Sequence, residues 1–301
     1  MNPFFTIVRP TYKRPDRLKR AIESVLKQTF SDFEIVVVNN ADEDVILPVQ
    51  NDRITLLQEK KKGANFARNR GIENSKGKFI CFLDDDDVYF ENHLQTMYDL
   101  IQANDSKVAM YRTFTKQEVA PGIFKNQPVI TKPENDTDLD HVMTILLVMH
   151  CVCCHRDILQ KIKFEPSIPV AQDYHMWIRI VVEYPLVEIP EITTLYHFSS
   201  DSTSSPSLEK YLQYIKVYKS LFSLEKVKLK LRKEIEHRRL FNYYNLILQC
   251  NLKELKFGLF LKIMAGSIRY KPSYLLRLEP YKLFLKYFII KFKNSKLRVA
   301  I

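Results

Sequence analysis

Phe79-Ile80-Cys81-Phe82-Leu83 runs without a polar residue into Asp84-Asp85-Asp86-Asp87. An apolar run of this kind reads as a buried strand. Four carboxylates at its mouth repel one another, and taking them out of water is unfavourable unless positive charge compensates. A divalent cation supplies such charge, because hard oxygen ligands suit Mg²⁺ or Mn²⁺. The competing reading is a solvated acidic turn that caps the following helix, and for the motif alone both stay open.

The surrounding pattern narrows the choice. Phe4–Val8, Glu34–Val38 and Ile54–Leu57 read as strands, while Arg17–Lys27 and Ala64–Asn74 carry helical spacing. Pro10–Pro15 is a turn whose second proline suits the first turn of a helix. This alternation predicts an α/β fold, an open and mostly parallel sheet flanked by helices. Ligands bind outside the carboxyl ends of such strands, so Pro10-Thr11, Asn39-Asn40 and Asp84–Asp87 are expected to converge. Further on, Val108–Phe114, His150–Cys154 and Thr193–Phe198 read as strands. Asp138–Met149, Gln172–Val182, Leu208–Phe222 and Leu224–Leu240 read as helices, and Ala120–Glu134 as a loop. The Ser-rich stretch Ser199–Ser207 marks a boundary, giving a catalytic domain over 1–206 and a basic helical C-terminal region over 207–301.

Charge divides at the same place. Residues 207–301 hold 22 Lys+Arg against 6 Asp+Glu, a net +16, whereas residues 1–206 carry a net −5. Such asymmetry points to an anionic partner for the tail. No apolar run is long enough to span a bilayer, and Met1-Asn2 leads straight into a strand-like segment rather than a secretory signal. The five cysteines show no disulfide spacing, which fits a reduced, cytoplasmic compartment. His150-Cys151-Val152-Cys153-Cys154-His155 imitates a zinc cluster. Neighbours in a strand face opposite sides, however, and the spacer between ligand pairs is missing, so these read as core cysteines.

Several stretches in order resemble the family 2 inverting GT-A glycosyltransferases over roughly residues 4–200. They are Val8–Arg14, Ala21–Thr29, Glu34–Val38, Gly63–Ile72, Gly77–Asp87 and Gln172–Arg179. The resemblance implies the GT-A nucleotide-diphospho-sugar transferase fold and transfer of a sugar from a nucleotide-diphosphate donor, with a UDP-sugar expected. It places Asp84 and Asp86 at the family's metal motif, Asp86 as ligand and Asp84 nearer the ribose or a metal-bound water, with Mn²⁺ or Mg²⁺ as cofactor. A divalent ion there neutralises charge developing on the diphosphate. Asp85 and Asp87 would tune the site or cap the next helix, and His197 falls where relatives often touch metal or diphosphate. Pro10, Thr11, Arg14, Asn40 and Arg68 match nucleotide-binding positions. Asp173 matches the base that takes the acceptor proton.

Two departures stand out. Asn39-Asn40 replaces a pair of aspartates, and Gln172 replaces the glutamate that precedes the base. An amide oxygen at Asn40 accepts a hydrogen bond from uracil more weakly than a carboxylate would. The segment 199–205 is a candidate lid.

The lysines of the tail alternate with bulky apolar residues. If helical, Lys282, Lys286, Lys293 and Lys296 share one side, with Lys291 and Arg298 off it. This suits an interfacial helix on an anionic membrane rather than nucleic acid. The expected function is a non-processive glycosyltransferase adding one sugar to a saccharide or lipid-linked acceptor in surface polysaccharide or lipopolysaccharide synthesis, peripheral on the inner face of the cell membrane. The polymerising motif that ends in Arg-Trp is missing, since Met176 precedes Trp177. The alternative is a catalytically silent relative serving as a membrane-bound scaffold. A nucleotidyltransferase lacks support, because no glycine-rich phosphate loop opens the chain.

Overall fold

The computed structural model describes residues 2–85, 87–145, 147–197 and 207–298, with side chains described through Lys291. Asp86, the serine-rich stretch 199–206 and the side chains of Lys293, Lys296 and Arg298 therefore lie outside the described residues. The chain comprises two compact units, Met1–Thr203 and Ser204–Ile301.

In the first unit, β1 (Phe5–Thr11) leads through a turn into α1 (Pro15–Leu26), with Pro15 in its first turn. There a missing N–H leaves no intrahelical hydrogen bond unmade. Leu18, Ala21, Ile22 and Val25 recur at three- and four-residue spacing and are fully buried. β2 (Phe33–Asn39), β3 (Ile54–Gln58), α2 (Ala64–Asn74) and β4 (Phe79–Phe82) follow. β2 and β4 flank β1 in parallel register, Phe5 opposite Phe33 on one side and Phe79 on the other. That register brings Thr11, Asn39 and Asp84 out at one edge of the sheet. Gly77 permits the close approach of β4 to β1, since a Cβ there would lie 2.5 Å from the Phe5 carbonyl carbon.

The rest of the unit is β5 (Val88–Tyr89), α3 (His93–Gln102), β6 (Met110–Ala120), β7 (Ile123–Asn126), α4 (Asp138–Val142), β8 (Val152–His155), α5 (Arg156–Lys161), α6 (Gln172–Val181) and β9 (Leu186–Tyr196). The strands form one nine-stranded sheet in the order β3-β2-β1-β4-β8-β6-β9-β5, with β7 on β6. β8 runs antiparallel to β4 and β6, β7 to β6 and β5 to β9, so six of the nine described strands point one way. This is the mostly parallel α/β sheet expected from the alternation.

Three local expectations are corrected. Residues 120–134 are not all loop: Pro121-Gly122 turns the chain into β7, with Gly122 at φ 73°. Pro-Gly is itself a turn signal, hidden here by the prolines that follow. Of the helix expected over 138–149, only Asp138–Val142 forms, capped by the Thr137 hydroxyl, and a 3₁₀ turn closes at Met149–Cys151. The Tyr174 hydroxyl intercepts the next turn, donating to the Ile145 carbonyl and accepting from the Leu147 N–H at 3.3 Å. Backbone groups satisfied by a side chain have no need of a helix.

The helix expected over 224–240 is also broken. The second unit runs α7 (Leu208–Ser223), α8 (Glu225–Lys230), α9 (Lys233–Cys250), α10 (Phe257–Tyr270), a 3₁₀ turn (Pro272–Leu276) and α11 (Glu279–Arg298). Leu231 and Arg232 are extended between α8 and α9, where Leu231 is buried. Tyr243 stacks on Tyr214 and Tyr218 at centroid distances of 5.2 and 5.3 Å, joining α9 to α7.

Candidate active site

At the shared edge the acidic turn meets protein cations one by one. Asp84 receives two hydrogen bonds from Arg68 Nη2, at 2.9 Å to Oδ1 and 3.1 Å to Oδ2. Asp85 Oδ1 lies 3.2 Å from Arg14 Nη1. Asp87 is buried, with its Oδ2 2.6 Å from His150 Nδ1. Arg9 is wholly buried and donates to the carbonyls of Leu83 and Asp84 at 3.5 and 3.3 Å. Side chains of the same unit thus already partner three of the four acids. Asp87 does not cap a solvated helix either; it anchors inward to His150, whose Nε2 is 3.0 Å from Thr115 Oγ1.

Arg68 connects this turn to the second half of the site. Its Nη1 donates to Gln172 Oε1 at 2.9 Å, and Gln172 immediately precedes Asp173 at the start of α6. Arg68 Nη1 also donates to Asn65 Oδ1 at 3.4 Å, and two asparagines of α2 reach the segment before α6. Asn65 donates to the carbonyls of Glu165 and Ile168, and Asn69 exchanges hydrogen bonds with the backbone of Phe164 at 2.8 and 2.9 Å. One face of α2 is thus stitched to the segment that leads into α6. Ala171, at the entry to that helix, holds the left-handed region at φ 52°. A side chain there is strained, and such strain persists only where surrounding contacts over-determine it.

The electrostatics separate the two carboxylates. Burial pushes Asp84 upward, but the Arg68 charge and hydrogen bonds overcome it and hold Asp84 below the usual carboxylate range. Burial raises Asp173 above that range; the Tyr174 N–H and Arg68 only partly oppose it, and Asp84 adds to the rise. Burial likewise raises Asp85 against the pull of Arg14 and Arg9. One carboxylate is kept ionised and another is poised to take a proton, which is the division of labour that acid–base chemistry needs.

The ends of β1 and β2 form the neighbouring wall. Pro10 is partly exposed, and the Thr11 hydroxyl is buried without a hydrogen-bond partner. Asn40 donates to the carbonyls of Glu59 and Lys61 and accepts from the Gly63 N–H at 2.8 Å. Asn39 donates to the Glu43 carbonyl and to Gln58 Oε1. These contacts explain the departure from aspartate, since a carboxylate at either position would face carbonyl oxygens with no proton to give. Gly63, at φ 130°, takes a conformation that side chains rarely adopt and so turns its N–H onto Asn40. Tyr12 is half exposed, and the ammonium groups of Lys13 and Lys62 lie 5.8 and 5.9 Å from its ring centroid.

His197 follows β9, whose Leu195 pairs with Val88 just beyond the acidic turn. Its Nδ1 is 2.8 Å from Glu118 Oε2, leaving Nε2 as the nitrogen for a ligand; a carboxylate behind a histidine is the usual support of a metal-binding imidazole. Among the described residues no three His, Cys, Asp or Glu gather tightly enough to hold an ion. Carboxylate oxygens such as those of Asp84 are the hard ligands that Mn²⁺ or Mg²⁺ take, and here both accept from Arg68.

Sequence reasoning missed Arg9, Asn65, Asn69 and the Asp87–His150 pair. A charged residue inside the apolar strand β1 was the available signal for Arg9. Asn65, Arg68 and Asn69 share one face of α2 by their spacing. Nothing local joined Asp87 to His150, 63 positions away.

The fold and this edge define a GT-A sugar transferase. Residues 6–162 match the model of Glycosyl transferase family 2. The chain belongs to that family and is a glycosyltransferase. The match takes in the acidic turn and Arg68, and ends before Asp173. The chain is 25% identical over 221 residues to an uncharacterized glycosyltransferase of Rickettsia prowazekii, covering 71% of this chain and 70% of that one. It is 28% identical over 211 residues to WfgD of Escherichia coli, named a UDP-Glc:α-D-GlcNAc-diphosphoundecaprenol β-1,3-glucosyltransferase, covering 66% and 79%. Among solved structures, S. aureus TarS residues 1–349 in complex with UDP-GlcNAc superposes with a TM-score of 0.66 at 14% identity, covering 88% of this chain and 80% of that one. The mannosyltransferase PcManGT of Pyrobaculum calidifontis, in complex with GDP-Man and Mn²⁺, gives 0.53 at 13% identity, covering 94% and 86%.

Proposed function

We propose that this protein transfers one sugar, with inversion, from a UDP-sugar to a hydroxyl of a lipid-linked saccharide during surface polysaccharide assembly. The observation that carries the reading is Arg68, which ties Asp84 of the acidic turn to Gln172 beside Asp173. It supports a pairing of Asp84, held below the usual carboxylate range, with Asp173, raised above it, as the two working acids.

Asp173 takes the acceptor hydroxyl's proton as that oxygen bonds to the anomeric carbon. The bond from that carbon to the diphosphate oxygen breaks, and its electron pair leaves with the nucleotide. Asp84 and Asp86, with His197, would hold a divalent cation whose role is to neutralise the charge that gathers on the diphosphate. Pro10, Thr11 and Asn40 would receive the nucleoside, where the Asn40 oxygen keeps a second lone pair for uracil N3–H. Arg14, Arg68 and Asp85 border the diphosphate. The names of WfgD and of the TarS complex, with a UDP-sugar in each and a diphosphoundecaprenol acceptor in the first, support the donor and acceptor classes.

Melting curves with UDP-, GDP-, CMP- and dTDP-sugars, each with Mn²⁺, Mg²⁺ or EDTA, test the donor. A ligand at a hundred times its dissociation constant adds about 2.7 kcal/mol. A metal-dependent rise with UDP-sugars is expected. A folded protein that responds to none of the four would overturn the reading and favour a silent scaffold.

A further inference from the structure

The second unit contains a helical hairpin that is apolar on the side that should face water. Within the hairpin α11 packs on α10 through Tyr287, which stacks on Phe260 at 4.2 Å and donates to the Leu255 carbonyl at 3.2 Å. On a helix turning about 100° per residue, Leu278, Tyr281, Leu285 and Ile289 fall on the face away from Tyr287, with Phe288 beside them. They are exposed: Leu278 by 70%, Leu285 by 62%, Tyr281 by 59% and Ile289 by 48%. Leu276, in the 3₁₀ turn at the hairpin's tip, is 89% exposed. The surface continues onto α10, where Phe257 is half exposed and its ring lies 5.9 Å from Phe288. A contiguous apolar face left exposed marks a surface that something else covers.

Charge says what covers it. Residues 253–298 carry twelve Lys+Arg and two Asp+Glu. Lys282 and Lys286 are exposed along one flank of the apolar face of α11. Lys291, which breaks the one-sided pattern in sequence, turns inward and donates to the Lys253 carbonyl at 3.1 Å. A second copy of this face would set like charges against each other. A nucleic acid would set its phosphates against Leu276, Leu278 and Leu285, which offer them neither charge nor hydrogen bond. Among the described residues no helix is long and apolar enough to cross a membrane, so the surface suits lying on one.

We propose that the α10–α11 hairpin docks on an anionic lipid bilayer. Leu276, Leu278, Tyr281, Leu285 and Phe288 enter below the headgroups, and Lys282 and Lys286 meet the lipid phosphates. The proposal is independent of the donor and of Asp173.

The test is sedimentation of the full chain with phosphatidylcholine vesicles, with and without about a third phosphatidylglycerol, at about 0.15 M salt. Binding to the anionic vesicles alone is expected. Lys282→Gln with Lys286→Gln should weaken it about thirtyfold. Leu276→Asn, Leu278→Asn and Leu285→Asn together should abolish it while the melting temperature stays at the wild-type value, because all three side chains are exposed. Leu276→Trp adds a reporter whose emission should shift to the blue with anionic vesicles. A wild-type chain that stays in the supernatant, or a triple variant that binds as well as wild type, overturns the proposal. So does a wild-type dimer that the triple variant dissociates without any vesicle binding, which would assign the face to a second copy.

Discussion

The acidic turn and the α10–α11 hairpin handle charge in opposite ways. In the turn, Asp84 and Asp85 each face an arginine of the same unit, at 2.9 and 3.2 Å, and Asp87 faces the His150 imidazole at 2.6 Å. In the hairpin, lysines border an apolar surface and the partner they suit lies outside the chain. A charge partnered inside the protein is held in place and can have its proton affinity tuned by burial. A charge facing water is screened, movable and suited to a surface whose exact shape is not fixed in advance. Precise chemistry suits the first region, and the adaptable attachment proposed for the hairpin suits the second.

Four measurements would break or sharpen that contrast. The largest effect expected is from Asp173→Asn, which removes the proposed proton acceptor and should lower turnover about 10³-fold. Vesicle binding should stay unchanged, because the substitution lies in the other unit. In the wild-type enzyme, turnover should fall as pH drops through the raised Asp173 pKa, since the base works only when ionised. A rate that is flat with pH and indifferent to Asp173→Asn would remove the base from the site.

Next comes His150→Phe, which leaves the buried Asp87 carboxyl without its imidazole partner and should cost about 3 kcal/mol in chemical denaturation. Adding Asp87→Asn should recover much of that loss. No recovery would mean that the damage comes from packing rather than from the pair.

Acid should act on the first unit. Burial lowers the pKa of His93 to about 3, and burial with nearby Arg179 lowers that of His175 to about 4, both from 6.5. Below pH 6.5 the unfolded chain takes protons that these folded imidazoles refuse, so stability falls as pH falls. The slope is about 1.4 kcal/mol per pH unit for each histidine until its folded pKa is reached. His93→Gln should flatten the curve, measured by denaturation between pH 7 and pH 4.

The smallest effect concerns Lys13 and Glu43, an ion pair at 2.7 Å whose side chains are half and two-thirds exposed. Exposed pairs contribute little, so Glu43→Gln should leave the melting temperature unmoved. A clear loss would show that charge at the rim of the site is structural too.

Much of the first unit was legible because its signals are local. Strand β4 shows as an unbroken apolar run, α1 as apolar residues at helical spacing, and α2 begins and ends at the residues its pattern suggested. The meeting of Thr11, Asn39 and Asp84 at one edge followed from strand direction alone. The failures have a common cause. The stretch after Val142 looks helical, and the Tyr174 hydroxyl takes the Ile145 carbonyl and the Leu147 N–H instead. The partners of the acids were hidden for the same reason: Arg68 stands on a helix, Arg14 in a turn, and His150, which meets Asp87, lies beyond three further strands.

The sequence by itself determined the α/β alternation, the position of the acidic turn at a strand end, the candidates Asp84 and Asp173, and the basic, apolar character of the tail. Each depends on neighbours within a few residues, where periodicity and turn chemistry act. Only the tertiary structure decided which cation meets which carboxylate, that Arg68 joins Asp84 to Gln172, and that Lys291 turns inward while Leu278 and Leu285 stay outside. Those outcomes depend on burial and on groups far apart in the chain, and burial is a property of the packed molecule rather than of any segment of it.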